Sequence, residues 1–173
     1  MTLVEEAVGV EWRPIEGFPG YSVNTLGQVR KDSTRRVMHV RTNEFGVPYV
    51  GLMRDGALHQ SVRSLPRLVA KAFVPQPNPI WDTPINLDGD RMNCSVDNLA
   101  WRPRWYAVAY TKQFKDRYDH PIEEPVREVE TDEEFDNSLA AACYYGLLER
   151  EVVLSILNNM PTWPTFQKFV IAD

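Results

Sequence analysis

Cysteine and histidine are scarce in this chain, and long apolar runs are missing. Its two cysteines, Cys94 and Cys143, stand alone, and none of its three histidines lies at metal-ligand spacing from them. The sequence therefore argues against a disulfide framework and a structural zinc site, and it favours a reducing cytoplasm. No run of about 18 apolar residues is present, so we expect no membrane span. Residues 1–6 lack the basic start and apolar segment of a secretory signal.

The net charge of −5 is unevenly distributed along the chain. Residues 1–117 carry 16 Lys and Arg against 12 Asp and Glu, whereas residues 118–173 carry 3 against 12. A basic body suits a nucleic-acid partner if its charges share one face, and ordinary surface charge is the alternative. The acidic part would solvate a linker, mimic phosphates or mask the basic body.

Two stretches have a marked local pattern. In residues 11–30, Pro and Gly interrupt short apolar runs, which is typical of small antiparallel strands joined by turns. Further strand candidates follow at residues 37–40, 46–53 and 58–62, with Asp55-Gly56 as a hairpin signal. In residues 84–101, Asp88-Gly89 predicts a tight turn, and Leu99 and Trp101 anchor the polar loop that precedes them.

Both stretches resemble parts of HNH homing endonucleases. The second resembles the HNH nuclease motif, and the matching residues are Asp88, Gly89, Asn93, Asn98, Leu99 and Trp101. The first resembles the small DNA-contacting module that precedes HNH domains, through Trp12, Ile15, Gly17, Tyr21, Val23, Gly27, Val29 and Arg30. The resemblance implies a DNA-binding protein encoded by a phage or mobile element.

The departures from the motif fall on its chemistry. Asn86 stands where the family has its general-base histidine, Ile85 where it has a metal-binding Asp or Asn, and Cys94 where it has a second Asn. Asn cannot accept a proton at useful pH, and Ile cannot ligate a metal, so we expect no catalytic residue and no cofactor. Asp88 and Asn98 are weak metal candidates, for Mg²⁺, in the alternative of an active or weakly nicking endonuclease.

Helices are predicted in the middle and at the end of the chain. Ser64 is a candidate N-cap for a helix over residues 67–73, with Pro66 in its first turn. A second helix should follow Trp101 through Phe114. Residues 139–145 and 148–158 predict a helical pair with Gly146 between them. The pair resembles a helix-turn-helix, and an αα-hairpin for dimerisation or partner contact is the alternative.

We therefore predict an α+β protein in four parts. Residues 1–60 form a small antiparallel β module, 61–117 a degenerate ββα domain of HNH type, 118–136 an acidic linker, and 137–173 a helical hairpin. Double-stranded DNA is the expected partner, bound through phosphate contacts. The candidate contact residues are Arg30, Lys31, Arg35, Arg36, Arg41, Arg54, Arg63, Arg67, Lys71, Arg91, Arg102, Arg104 and Lys112.

With catalysis lost, the protein would act by occupancy, as a regulator or host-takeover factor in the host cytoplasm. Apart from the nuclease alternative, the acidic C-terminal half leaves open a protein-binding inhibitor with a host protein partner. A homodimer is also compatible with the sequence.

Overall fold

The computed structural model describes residues 10–172, so the start of the predicted N-terminal module lies outside the described residues. Within that range the chain forms two compact units. The first contains residues 10–86 and 90–103, and the second contains residues 87–89 and 104–172. The chain therefore enters the second unit for three residues, returns to the first, and leaves it again after Pro103.

The first unit contains three antiparallel sheets, one α-helix and a short 3-10 helix at Val96–Asn98. Strands β1 (Trp12–Pro14), β2 (Tyr21–Asn24), β3 (Val29–Lys31) and β4 (Arg36–Val37) form a four-stranded meander. Strands β5 (Arg41–Thr42), β6 (Pro48–Leu52) and β7 (Ser61–Ser64) form the second sheet. Helix α1 (Leu65–Phe73) follows, and β8 (Thr83–Asn86) pairs with β9 (Leu99–Arg102) as a hairpin.

One hydrophobic core joins these elements. It includes Val23 and Val29 from the meander, Val50 from β6, Val69 from α1 and Trp101 from β9. The β module and the α1–hairpin segment, which the sequence suggests as separate parts, therefore share one core. Helix α1 contributes to it because its apolar residues recur at helical spacing, and Pro66 occupies the first turn, where its missing N–H costs nothing.

The second unit contains three helices and one small sheet. These are α2 (Arg104–Gln113), α3 (Ser138–Tyr145) and α4 (Glu149–Asn158), with strands β10 (Val126–Glu128), β11 (Glu134–Phe135) and β12 (Phe169–Ile171). The strands pair antiparallel in the order β11-β10-β12. The Asn137 side chain caps α3 by accepting from the Ala140 N–H at 2.9 Å, and Gly146 ends the helix in the left-handed region.

Residues 118–136 differ from the acidic linker that the sequence suggests, because they contribute two strands. Val126 and Glu128 are buried in β10. The Glu128 carboxylate accepts hydrogen bonds from the backbone N–H groups of Glu130 and Thr131 at 2.9 and 2.7 Å and from the Thr131 hydroxyl. One acidic residue of the run is therefore a structural acceptor that holds a turn.

The α+β class is confirmed by this mixture of helices and small antiparallel sheets. In α4 the side chains of Val152 and Val153 are buried, whereas that of Leu157 is exposed. No helix among residues 10–172 is both long and apolar enough to cross a membrane.

Candidate nucleic-acid interface

The hairpin β8–β9 carries the positions at which the HNH resemblance places catalysis. Ile85 pairs with Ala100 and Asn86 with Leu99 across the hairpin, so Asn86 is the last residue of β8 before the loop. Successive residues of a strand point to opposite faces. Ile85 accordingly faces the interior, with only 2% of its surface exposed, and Asn86 faces the loop.

Three asparagines are joined inside this loop. The Asn86 and Asn98 side-chain amides both donate to the Asn93 backbone carbonyl, each at 2.8 Å. The Asn93 side-chain oxygen in turn accepts from the Ser95 hydroxyl at 2.9 Å. The residue at the general-base position is therefore engaged in holding the loop closed.

The turn between β2 and β3 also contacts the loop that follows β8. The Val96 N–H donates to the Thr25 carbonyl at 2.8 Å. Cys94 is buried against Gly27, where an added Cβ would stand 2.9 Å from both the Cys94 Cβ and its carbonyl oxygen. Real Cβ atoms do not approach that closely, so the contact requires glycine at position 27.

The residues at the motif positions do not fit the metal-dependent centre of an HNH nuclease. Ile85 is apolar and buried where a ligand is needed. Among residues 10–172, no three His, Cys, Asp or Glu side chains form a group that could hold a metal ion. His39, His59 and His120 are all exposed.

The predicted phosphate contacts lie mostly in the first unit. Eleven belong to it, and Arg104 and Lys112 belong to the second unit. Within residues 10–86 and 90–103, 12 Lys and Arg face 8 Asp and Glu, a net charge of +4. Residues 87–89 and 104–172 carry 7 against 13, a net charge of −6.

A cluster of exposed cations occupies the β3–β4 hairpin. Lys31 lies directly opposite Arg36 in the register of the two strands. Arg35 stands in the turn between them with a left-handed backbone, at φ +52°. All three side chains are exposed. Like charges directly opposite each other destabilise a strand pair, and a bound anion would reduce this repulsion.

Several other cations rest on aromatic rings. The Arg30 guanidinium lies 4.1 Å from the centre of the Trp12 ring. Arg54 and Arg63 both lie over the Phe18 ring, at 5.2 and 4.9 Å. These pairings join residues distant in the chain, so local sequence patterns do not reveal Trp12 and Phe18 as supports for the guanidinium groups. The rings restrict the arginine side chains and so reduce the entropy lost on binding an anion.

Some of the predicted contacts have other surroundings. The prediction that Arg102 contacts phosphate from the protein surface is wrong, because only 4% of its surface is exposed. Its guanidinium donates to the Trp101 carbonyl and lies over the Trp81 ring. Arg91 donates to the Phe45 carbonyl. Lys112 forms an exposed ion pair with Asp116 at 3.7 Å. Arg41, Arg67, Lys71 and Arg104 are exposed, as expected of phosphate contacts.

Comparison with solved structures gives a full-length match. It is a structure described as "DNA binding and cleavage by the HNH homing endonuclease I-HmuI", with 18% sequence identity and a TM-score of 0.52. The match covers 94% of this chain and 98% of the other. The chain has an HNH-like fold. No protein-family model and no curated protein matches the sequence.

Helix α2 of the second unit carries both exposed and buried aromatic residues. Trp105 is 61% exposed and stacks on Trp163, with ring centres 5.1 Å apart and planes inclined by 19°. Tyr106 and Tyr110 of the same helix are buried. The Tyr110 hydroxyl donates to the Leu87 carbonyl at 2.7 Å, which fixes the three-residue insertion to α2.

Proposed function

We propose that this protein binds double-stranded DNA through its first unit and does not cleave it. The observation that carries the proposal is the unneutralised pairing of Lys31 with Arg36 on an exposed hairpin. Phosphate oxygens are the anions that would relieve this repulsion, and Arg35 lies in the same turn. The HNH-like fold supports the proposal, since its solved neighbour is described as binding and cleaving DNA.

The residues at the catalytic positions of the motif favour action by occupancy of a DNA site. The Asn86 amide is engaged with Asn93, and Ile85 is buried, so neither the base nor the ligand required for metal-assisted hydrolysis is supplied at these positions. A protein that holds DNA without cutting it can block or recruit other factors at that site. We therefore propose a regulatory role for a phage or mobile-element protein.

Salt dependence of DNA binding tests the contact surface. Each phosphate contact contributes about 0.9 to the slope of log K against log salt. In fluorescence anisotropy with a labelled duplex, Lys31→Gln and Arg36→Gln should each lower that slope by about one and weaken binding uniformly across sequences. Lys115→Gln, which removes an exposed cation from the second unit, is the control. Equal slopes for all four proteins would refute the proposed surface.

Incubation with supercoiled plasmid and Mg²⁺ or Mn²⁺ tests the catalytic part separately. We expect the plasmid to remain supercoiled over hours, whereas metal-dependent nicking by pure protein would establish the endonuclease alternative. DNA binding could persist in either case, so the two tests are independent.

A protein partner is the second candidate, and the charge of the second unit favours it. With a net charge of −6, this unit is suited to a basic partner surface. Failure to bind duplex DNA even at low salt would favour a protein-binding inhibitor over a DNA-binding protein.

A further inference from the structure

A cavity of about 400 Å³ lies in the first unit beside helix α1. Its lining combines two kinds of residue. Ile15, Phe18 and Val23 are buried apolar side chains, whereas Arg67 and Lys71 are exposed cations of α1. The volume lies within the range of about 300–1,000 Å³ that is typical of small-molecule sites. A second cavity, of about 480 Å³, shares Glu16, Lys71 and Ala72 with the first.

The cations of this cavity follow one line of the chain. Arg63, Arg67 and Lys71 are spaced four residues apart, and all three line the cavity. Arg63 belongs to β7, whereas Arg67 and Lys71 lie four residues apart on α1, where like charges at that spacing destabilise the helix. None of the three has an ion pair with another residue in the described range, and Glu16 is the one acidic residue among those that line the cavity. The arrangement lacks the negative charge that would balance it.

The lining matches a ligand with an anionic end and a flat apolar body. Arg and Lys bind phosphate through charge-assisted hydrogen bonds. The Phe18 ring already supports the Arg63 guanidinium at 4.9 Å, which orients that group within the cavity wall. The apolar residues Ile15 and Leu68 provide contact area for a planar ring.

We propose that this cavity binds a nucleotide, with its phosphate among Arg63, Arg67 and Lys71 and its base against the apolar lining. The proposal goes beyond duplex binding, because a duplex presents its phosphates on a convex surface with the bases stacked inside. Two sources have this chemistry, a free mononucleotide and the terminal nucleotide of a DNA strand.

Isothermal titration calorimetry on the full chain tests the site with defined probes. Deoxyadenosine 5′-monophosphate should bind saturably, and inorganic phosphate and deoxyadenosine should each bind at least about tenfold more weakly, since each supplies only one part of the ligand. A duplex with a 5′-phosphorylated single-nucleotide overhang, compared with its blunt counterpart, examines the second source. Stronger binding of the overhang would support the site with a DNA end as its ligand.

Matched variants locate the binding. Lys71→Gln should weaken nucleotide binding by about tenfold, the loss expected for one charge-assisted hydrogen bond, whereas Lys115→Gln should not change it. Ala72→Leu adds volume at the junction of the two cavities without changing charge, and it should also weaken binding. Ala109→Leu makes the same change in helix α2 and is its control. Circular dichroism and thermal melting verify that every variant is folded.

Three results would overturn the proposal. The first is the lack of saturable binding of both the mononucleotide and the overhang at millimolar concentration. The second is inorganic phosphate binding as tightly as the mononucleotide, which would reduce the site to an anion contact. The third is an equal effect of Lys71→Gln and Lys115→Gln, which would place binding elsewhere.

Discussion

A buried isoleucine occupies the position at which the HNH resemblance expects a metal ligand. Ile85 is 2% exposed, so its side chain has been taken into the protein interior. Restoring a carboxylate there would bury an uncompensated charge. An acidic metal ligand at this position would therefore be opposed by stability.

We predict that Ile85→Asp lowers the free energy of unfolding by about 3–5 kcal/mol, the typical cost of an unpaired buried charge. Ile85→Val removes one methyl group and should cost only about 0.5–1.5 kcal/mol. Urea denaturation followed by circular dichroism measures both. Equal destabilisation by Asp and Val would show that position 85 is accessible to water.

At the scale of elements, the β2–β3 turn and the loop after β8 hold each other. Gly27 lies against the Cys94 backbone and has a left-handed conformation, at φ +79°. Gly56 has nearly the same φ, at +74°, but an added Cβ there would meet nothing within 4 Å. The two glycines thus share the conformational requirement and differ in the packing requirement.

Gly27→Ala should therefore destabilise the protein more than Gly56→Ala. The left-handed conformation costs an L-residue about 1–2 kcal/mol at either site. Overpacking against the Cys94 backbone adds about 1–3 kcal/mol at position 27 alone. Thermal unfolding of the two variants gives the difference directly. If Gly56→Ala proved the more harmful, the turn would not be fastened to the loop as described.

Strand β10 owes part of its stability to the Glu128 carboxylate. Burial tends to raise the pKa of Glu128, but the hydrogen bonds from Thr131, Lys168 and Glu130 outweigh it and lower the pKa below its ordinary value of 4.5. Because the folded-state pKa is depressed, the stabilisation is present above pH 4.5 and is lost as the pH falls through the folded-state value.

Glu128→Gln should consequently reduce stability at neutral pH and flatten the loss of stability on acidification. Urea midpoints measured between pH 7 and pH 3 for both proteins test this. Parallel pH profiles would indicate that another carboxyl group is responsible. Exposed Glu124→Gln is a suitable control, since Glu124 has the same chemistry without burial.

Sequence patterns located the regular elements better than the contacts between them. Helix α1 was predictable because Pro66 marks its first turn, and because apolar residues recur at helical spacing at Leu68, Val69, Ala72 and Phe73. Strands β10 and β11 were missed because the surrounding Glu and Asp residues obscured a short strand. The Asn86–Asn93–Asn98 contacts depend on side-chain directions in an irregular loop, which local spacing does not specify.

For the whole molecule, the opposite charges of the two units bear on DNA association. The second unit, with a net charge of −6, should repel a polyanion over distances up to the Debye length. Glu124 and Asp136 are exposed residues of that unit.

Neutralising these two residues, as Glu124→Gln with Asp136→Asn, should increase the association rate with duplex DNA at 50 mM salt. The increase should shrink at higher salt, since the screening length is only about 8 Å at 0.15 M. Stopped-flow fluorescence at several salt concentrations measures it. A slower association at low salt would mean that these carboxylates assist DNA binding instead of opposing it.

The insertion of residues 87–89 into the second unit has a consequence for dissecting the protein. A fragment that begins at Arg104 would lack the Leu87 carbonyl that receives the Tyr110 hydroxyl, and also Gly89, on which the Phe114 ring packs. A fragment that stops at Pro103 would keep a tripeptide whose neighbours have been removed. No single cleavage of the backbone separates these two units intact, so truncation would damage both. In a protein split after Pro103, residues 87–89 of the N-terminal half would have to bind the C-terminal half to complete the second unit.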